Sequence, residues 1–552
     1  MQNTNKNDSQ KLELTPNKIT QTEAPTTARS TRWAVARLTR LLFFTLLALY
    51  IFTLGGHLYS GDGVASYNTA RSLLDGQGGA LENYFPDPRF GITGRDGHFF
   101  SKYGLGQVII DLPFVGFIKF LGRLAPGLEI DPISRMFLSS LNGFVVAFSA
   151  LLLYKIVRLF GFGVRAGIGV ALLYGVGTMA WMYARLDFSE PLLALFYLLL
   201  ARALFAWKLQ AKPDTELLKA GLWLAISITV KPTAALILLP VLLYIILVNY
   251  SSNQKLSQKN LVNRLLKTTW RPAFYLALPL VGAGIILLAY NYYRFGSFTE
   301  TGYSAIKDQF VLGSVYGGVY GFLLSPGKSI FLYSPGLIFA LFGVGEFYRQ
   351  AKLRAEFLFS LALTLTYLLF FSLFWNWDGD WTWGPRYLLP TFPFMVLWAA
   401  PLFQKFGRIA RHGFYLSICG ALAANGLGIL AQFDQYFQAS YDLGVNRDWR
   451  FIPELSPLRA QLYMLASAVS RALGRPALTL DFIDWETERE HAIRRIIPLD
   501  GYDFFDIWWL RPLSSGGWII TLLMSLFFGW LVWLAWKRFY QTYQTVKEFE
   551  QY

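Results

Sequence analysis

Apolar runs of about 18–20 residues recur along most of this chain, each the length a helix needs to cross hydrocarbon. They exclude a soluble fold. Composition agrees, since 54% of the 552 residues are hydrophobic and only 15% are charged, against about 25% charged in an ordinary soluble domain. The expectation is an all-α polytopic membrane protein with about twelve transmembrane helices.

The net charge of +15 then reads as topology rather than as affinity for nucleic acid, and no nucleic-acid partner is expected. Arg29, Arg32, Arg37 and Arg40 precede the first run, 41–58, and orient it as a retained anchor with a cytoplasmic N-terminus. Residues 1–28 are polar and read as a disordered tail. With sides alternating, the expected spans are 41–58, 136–156, 167–184, 191–207, two short runs meeting at Lys231-Pro232, 274–293, 334–347, 357–374, 388–403, 414–432 and 518–536. The connection 251–271 carries five basic residues and no acid, which marks the inside.

Segment 108–121 is apolar but short, and it contains Asp111, Pro113 and Lys119. Counting it as a span would invert the charge map, so it reads as an interfacial or re-entrant helix. The outer segments become 59–133, 294–333, 375–387 and 434–515. The two longest mix eight acids with six bases and twelve acids with nine, unlike the inner connections. The expected division is a tail, 1–28; a membrane core, 29–433; an extracytoplasmic segment, 434–515; and a last span with a cytoplasmic tail, 516–552. The setting is a plasma membrane, with both termini inside.

Cys419 is alone, so an internal disulfide is excluded. His57, His98, His412 and His491 lack metal-ligand spacing. The chemistry is left to the outer segments. Asp62, in Ser60-Gly61-Asp62-Gly63, directly follows the first span and opens a short helix over 64–74. It caps that helix, or it takes a proton from an attacking hydroxyl at the membrane face. Lys102 enters the interfacial segment and either snorkels or meets a lipid phosphate. Lys231 lies inside an apolar hairpin and needs an anionic partner or a position near the surface. Asp187 and Glu190 open a span, where acids favour the helix N-terminus or contact substrate.

The stretch Gly321–Ser329 matches the nucleotide phosphate-loop pattern. It lacks the strand–loop–helix setting that the motif needs, so a nucleotide-hydrolysing function is rejected, although Lys328 keeps the ingredients of a phosphate contact. The densest cluster is Trp375-Asn376-Trp377-Asp378-Gly379-Asp380-Trp381-Thr382-Trp383-Gly384-Pro385-Arg386-Tyr387. Four tryptophans at a span end form an aromatic belt. Asp378, Asp380 and Arg386 among them also suit a sugar beside a phosphate.

The order of these parts resembles the GT-C superfamily of membrane glycosyltransferases, near the protein mannosyltransferases and the lipid A aminoarabinose transferases. The resemblance rests on Asp62 after the first span, a helix over 64–75, and Lys102 opening 103–121. Glu190-Pro191-Leu192-Leu193 and Val230-Lys231-Pro232-Thr233 add to it, as do Asn291-Tyr292-Tyr293-Arg294-Phe295-Gly296-Ser297, Ser325-Pro326-Gly327-Lys328 and Trp383-Gly384-Pro385-Arg386-Tyr387. It covers about 40–432, while 434–515 matches nothing. The family often has two prolines after the interfacial lysine and two adjacent acids after the first span. This chain has Tyr103-Gly104 and a lone Asp62.

The resemblance implies a GT-C-like fold and a polyprenyl-phosphate-linked sugar as donor, with a protein, lipid or glycan acceptor. Asp62 would be the catalytic base of an inverting single displacement at the extracytoplasmic face. Lys102, Arg386, Lys231 and Lys328 would receive the donor phosphate. Asp187, Glu190, Trp377, Asp378, Asp380 and Trp383 would contact sugar or acceptor. No nucleotide cofactor is needed; a divalent cation stays open if Asp62, Asp187 and Glu190 converge. A lipid or sugar transporter is the alternative, though no internal repeat is visible and the suspect charges lie at span ends on one side. An assembly protein using its aromatic outer segments as binding surfaces is a third reading.

Overall fold

The computed structural model describes residues 24–125, 127, 129–253, 261–303, 309–445, 448–485, 492–515 and 517–549. The expected tail thus lies outside the described residues up to position 23, and the first helix starts at Ala24. In chain order the first part comprises α1 (Ala24–Phe52), α2 (Gly61–Leu74), the hairpin β1 (Gly91–Thr93) with β2 (Phe99–Ser101), α3 (Leu105–Leu124), α4 (Ile130–Ser139) and α5 (Leu141–Leu159). The membrane body continues with α6 (Val164–Gly175), α7 (Ala180–Tyr183), α8 (Glu190–Leu209), α9 (Glu216–Val230), α10 (Leu238–Asn253), α11 (Leu261–Phe295) and α12 (Val315–Leu324). Short pieces follow, α13 (Ile330–Tyr333), α14 (Gly336–Leu341) and α15 (Val344–Tyr348), then α16 (Arg354–Ser372), α17 (Phe392–Val396), α18 (Ala400–Lys405) and α19 (Arg408–Leu430). The C-terminal part holds α20 (Phe433–Asp442), α21 (Pro457–Ala472), the antiparallel pair β3 (Thr479–Trp485) and β4 (Ala492–Pro498), and α22 (Trp518–Phe549).

Among the described residues, 10 helices are long and apolar enough to cross a membrane. The molecule is a polytopic, almost wholly helical membrane protein. Three runs expected as spans are built from shorter pieces: 167–184 becomes α6 and α7, 334–347 becomes α13 to α15, and 388–403 becomes short turns with α17 and α18, while the first of the two runs meeting at Lys231 is the 15-residue α9. The breaks have a common cause. Gly336 N–H donates to the Gly177 carbonyl at 2.8 Å, and a Cβ on Gly336 would stand 2.5 Å from that oxygen. A Cβ on Gly343 would stand 2.0 Å from the Trp398 carbonyl. Backbones meet directly there, which continuous side-chain-bearing helices do not allow.

The charges sort to two ends of this body. Helix α8 carries Glu190 at its start, paired with Lys231 at 2.7 Å, and Lys208 at its end, paired with Glu356 at 2.7 Å. Twenty helical residues separate these pairs by roughly 30 Å, the thickness of a hydrocarbon core. Arg271–Asp214 (3.2 Å) and Lys405–Glu346 (2.9 Å) fall in connections that the charge map expects to be inner, as Lys208 does.

Segment 108–121, expected to lie at the interface, forms part of α3, which does reach span length. It runs parallel alongside the much shorter α2. Ser66 donates to Asp111 at 2.6 Å, and eight residues further along both helices the Lys119 ammonium meets the Leu74 carbonyl at 3.1 Å and pairs with Asp75. Helix α4 closes the layer, its Asp131 accepting from Tyr67 at 2.7 Å and pairing with Arg71 at 3.0 Å. The outer face of α3 is apolar, with Ile109, Phe117, Phe120 and Leu124 exposed, a surface suited to lipid.

Candidate active site

The chain leaves α1, turns through 53–60 and enters α2, and this turn decides what Asp62 can do. Ser60, not Asp62, caps the helix: its Oγ accepts from the Gly63 N–H at 2.9 Å. A cap of this kind contributes about 1 kcal/mol. Asp187 fixes the turn from below, accepting from the Tyr59 N–H (2.7 Å), the Ser60 N–H (3.2 Å) and the Ser60 hydroxyl (2.8 Å). Helix α2 sits so close that a Cβ on Gly63 would fall 1.8 Å from Asp187 Oδ2, so glycine is required. Asn142 holds the Asp187 loop in turn, donating to the Leu186 (2.5 Å) and Phe188 (2.8 Å) carbonyls.

Released from capping, the Asp62 carboxylate faces across the site. Oδ1 accepts from the Tyr103 hydroxyl at 2.5 Å, and Oδ2 lies 3.4 Å from Arg386 Nη1. The side chain keeps 26% of its surface exposed. Burial by itself would raise its pKa, but Arg386, Lys231, the Tyr103 hydrogen bond and Lys102 outweigh burial and hold it below the ordinary carboxylate value. The Tyr103 hydroxyl is driven the other way, by burial first and then by the Asp62 charge, and stays protonated.

Arg386 is held by aromatic faces, with Phe188 4.7 Å and Tyr387 5.0 Å from its guanidinium carbon. Its Nε is buried and has no hydrogen-bond partner among the described residues. The guanidinium thus carries one N–H that the protein leaves unsatisfied, and an oxyanion is a suitable partner for such a group. Lys102 lies at the hairpin end, its Nζ donating to the Arg89 carbonyl at 2.6 Å and 5.6 Å from the Tyr303 ring. Burial lowers its pKa, against the opposing pull of Asp62. Arg294 positions this corner from behind, donating to the carbonyls of Ser101 and of Tyr103 (3.3 Å) while bonded to Asn291 (3.1 Å). Lys231 completes the ring of charge, paired with Glu190 and 5.5 Å from the Tyr387 ring.

Asp62, Lys102 and Arg386 thus come together, with Lys231 and Glu190 next to them. The remaining candidates stand elsewhere. The Lys328 ammonium is fully buried and caged by backbone: Thr382 O (2.7 Å), Asp380 O (3.0 Å) and Gly384 O (3.3 Å), with Thr382 Oγ1 at 3.1 Å. It organises the 378–386 loop and has no open face for a donor phosphate. Nor does a phosphate nest surround it, since α12 rather than a strand precedes the loop and the Gly327 N–H donates to the Arg450 carbonyl at 3.2 Å.

Trp377 and Trp383, expected as sugar platforms, are core residues at 4% and 0% exposure. Each ring lies flush against glycine: a Cβ on Gly321 would come within 2.0 Å of Trp377, and one on Gly428 within 2.7 Å of Trp383. The exposed tryptophans are Trp375 and Trp381. Asp378 is fully buried 3.9 Å from Arg450 Nε, whereas Asp380 is exposed in a left-handed conformation (φ 64°). Asp187 is committed to the turn before α2. It does not converge with Asp62 and Glu190 on a cation: among the described residues no three His, Cys, Asp or Glu side chains form a metal-binding group.

Sequence reasoning passed over Tyr103, Arg294 and the pair Arg185–Asp506. The Arg185 guanidinium is buried, 2.8 Å from Asp506 and 2.6 Å from the Ile429 carbonyl, and it bonds the Tyr59 hydroxyl. The Tyr59 hydroxyl in turn donates to Asp506 at 2.9 Å. The only available signal was an arginine adjoining the Asp187 loop; its partner is 321 residues away.

No family model matches the chain, and no curated protein matches it. Among solved structures it is similar to ArnT from Cupriavidus metallidurans bound to undecaprenyl phosphate, at 15% identity over 80% of this chain and 72% of that one, with a TM-score of 0.48. The apo state of the same ArnT gives 15% identity, 81% and 72% coverage and a TM-score of 0.45. A likeness at this level assigns no residue a role.

Proposed function

We propose that the protein is a glycosyltransferase that moves a sugar from a polyprenyl-phosphate donor to an acceptor hydroxyl at the outer membrane face. The observation that carries this reading is an ionised carboxylate, Asp62, set against an arginine with one unsatisfied N–H and ringed by Lys102 and Lys231. A base and a phosphate cradle are what such a transfer needs together. Asp62 takes the proton of the acceptor hydroxyl as its oxygen attacks the anomeric carbon; the bond from that carbon to the phosphate oxygen breaks with inversion. The donor is a phosphodiester with one negative charge, and the departing lipid phosphate carries two. Arg386 and Lys102 stabilise the charge that develops there. A phosphate bound by Arg386 also weakens the hold of that arginine on Asp62 and makes the carboxylate a stronger base.

A second feature supports a lipid donor. An apolar cavity of about 320 Å³ is lined by Leu361 and Thr364 of α16, by Leu388, Met395 and Trp398, and by Ile330 and Leu341 opposite; Leu388 stands two residues past Arg386. Its lining suits an isoprenoid chain whose phosphate is held at Arg386.

The test uses purified protein in liposomes, a panel of labelled undecaprenyl-phosphate sugars and envelope extract as acceptor. Asp62→Asn is expected to lose transfer by about 10²–10⁴-fold while binding undecaprenyl phosphate within about threefold of the native protein. Native transfer rates in the variant would remove Asp62 as base. Label that crosses the bilayer still attached to its lipid would establish a transporter instead.

A further inference from the structure

At the other end of α1 from Asp62, the structure holds a basic cleft. Helices α1 and α22 pack antiparallel, with the Thr45 hydroxyl donating to the Ala535 carbonyl at 3.3 Å. Beyond that contact they enclose a cleft of about 410 Å³ lined by Trp33, Arg37, Arg40, Gln541, Thr542 and Thr545. Trp33, Arg37 and Arg40 follow one another at helical spacing and share a face. No carboxylate lines the cleft, and among the described residues neither arginine forms an ion pair. Both arginines border the cleft, Arg40 Nε donating also to the Ala36 carbonyl at 3.4 Å, and no counter-charge lines it. The depth is informative: the apolar run of α1 begins at Leu41 and that of α22 ends at Trp536, followed by Lys537 and Arg538. The cleft lies just beyond the hydrocarbon edge on both helices, at the level of phospholipid phosphates.

We propose that this cleft binds a phosphate-bearing anion, supplied by the headgroup of an acidic phospholipid in the adjoining leaflet. Arg37 and Arg40 grip the phosphate oxygens, Gln541 adds an amide donor, and Trp33 packs beside the glycerol region. The site lies some fifteen helical residues from the end of α1, roughly 20 Å from the Asp62 turn. The proposal therefore stands apart from the transferase reading.

The experiment is native mass spectrometry and thermal unfolding of the full chain, with phosphatidylglycerol, phosphatidylcholine or inorganic phosphate as probe. Phosphatidylglycerol is expected to be retained and to stabilise, phosphatidylcholine not. Arg37→Gln/Arg40→Gln should weaken phosphatidylglycerol retention by about 25-fold, with undecaprenyl phosphate binding unchanged. Lys537→Gln/Arg538→Gln removes the same charge at nearly the same depth but outside the cleft, and should weaken retention far less. Stabilisation by inorganic phosphate with the same dependence on Arg37 and Arg40 would keep the phosphate site and assign it to the free ion. Equal retention of phosphatidylcholine, or equal losses in the two double variants, would overturn the proposal.

Discussion

Asp62 owes its charge state to its neighbours, and this makes its pH behaviour a test. Its pKa in the folded protein lies below the ordinary 3.8. The carboxylate is thus ionised throughout the neutral range, and what it adds to stability is present above its unfolded pKa and fades only as pH falls through the lower folded value. The expected profile of kcat/KM shows no acid limb down to about pH 4. In Arg386→Gln, with the largest opposing charge removed, burial weighs more and the limb of the residual activity moves to higher pH. An acid limb near pH 6 in the native enzyme would place the base elsewhere. That an acid should follow the first span was legible in the linear chain. The hydroxyl that meets it was not, because Tyr103 reaches Asp62 only when the β1–β2 hairpin and Arg294 fix its backbone. The tryptophans of the 375–383 cluster mislead for a related reason: four of them in nine residues advertise a platform, yet which rings face outward depends on glycines at 321 and 428.

The helices divide into long ones that carry the fold across hydrocarbon and broken ones that shape the site. Helix α9 ends at Lys231 where Pro232 follows, and this places the ammonium beside Glu190 at the start of α8. The segment after Arg386 is a run of short turns rather than one helix, and Leu388, Thr391, Met395 and Trp398 of that run line the apolar cavity beside α16. If an isoprenoid fills that space, Thr364→Phe should obstruct it. The expected result is about tenfold weaker binding of undecaprenyl phosphate, an effect of about 1.4 kcal/mol, with little change for a ten-carbon isoprenyl phosphate. Isothermal titration in detergent separates the two; equal weakening would mean that the substitution disturbs the headgroup site instead.

The C-terminal segment 434–515, for which the chain offered no motif, is a structural partner of the site. Asp506 pairs with Arg185 beside the Asp187 loop, the Asp506 N–H donates to the Leu430 carbonyl at 2.9 Å, and the Trp508 N–H donates to the Leu54 carbonyl at 3.0 Å in the turn that leads to Asp62. Breaking a buried pair from one side strands a charge, at a cost of roughly 3–5 kcal/mol. Asp506→Asn should therefore lower the apparent Tm by several degrees, while Arg185→Met/Asp506→Leu recovers much of the loss. Thermal unfolding of the three variants checks this, and an unchanged Tm in Asp506→Asn would remove the pair from the scaffold. Asp434 near this pair is pushed up to about 6, by burial and then by Asp506.

Membrane insertion, the number of long apolar helices to within a few, and the acid that follows the first span all follow from the order of residues, because hydrophobicity and charge act locally. Which charges meet did not. Lys328 and Lys102 look alike along the chain, yet one is caged by carbonyls and the other faces the site. That difference arises from contacts between residues tens to hundreds of positions apart, and only the packed body sets them.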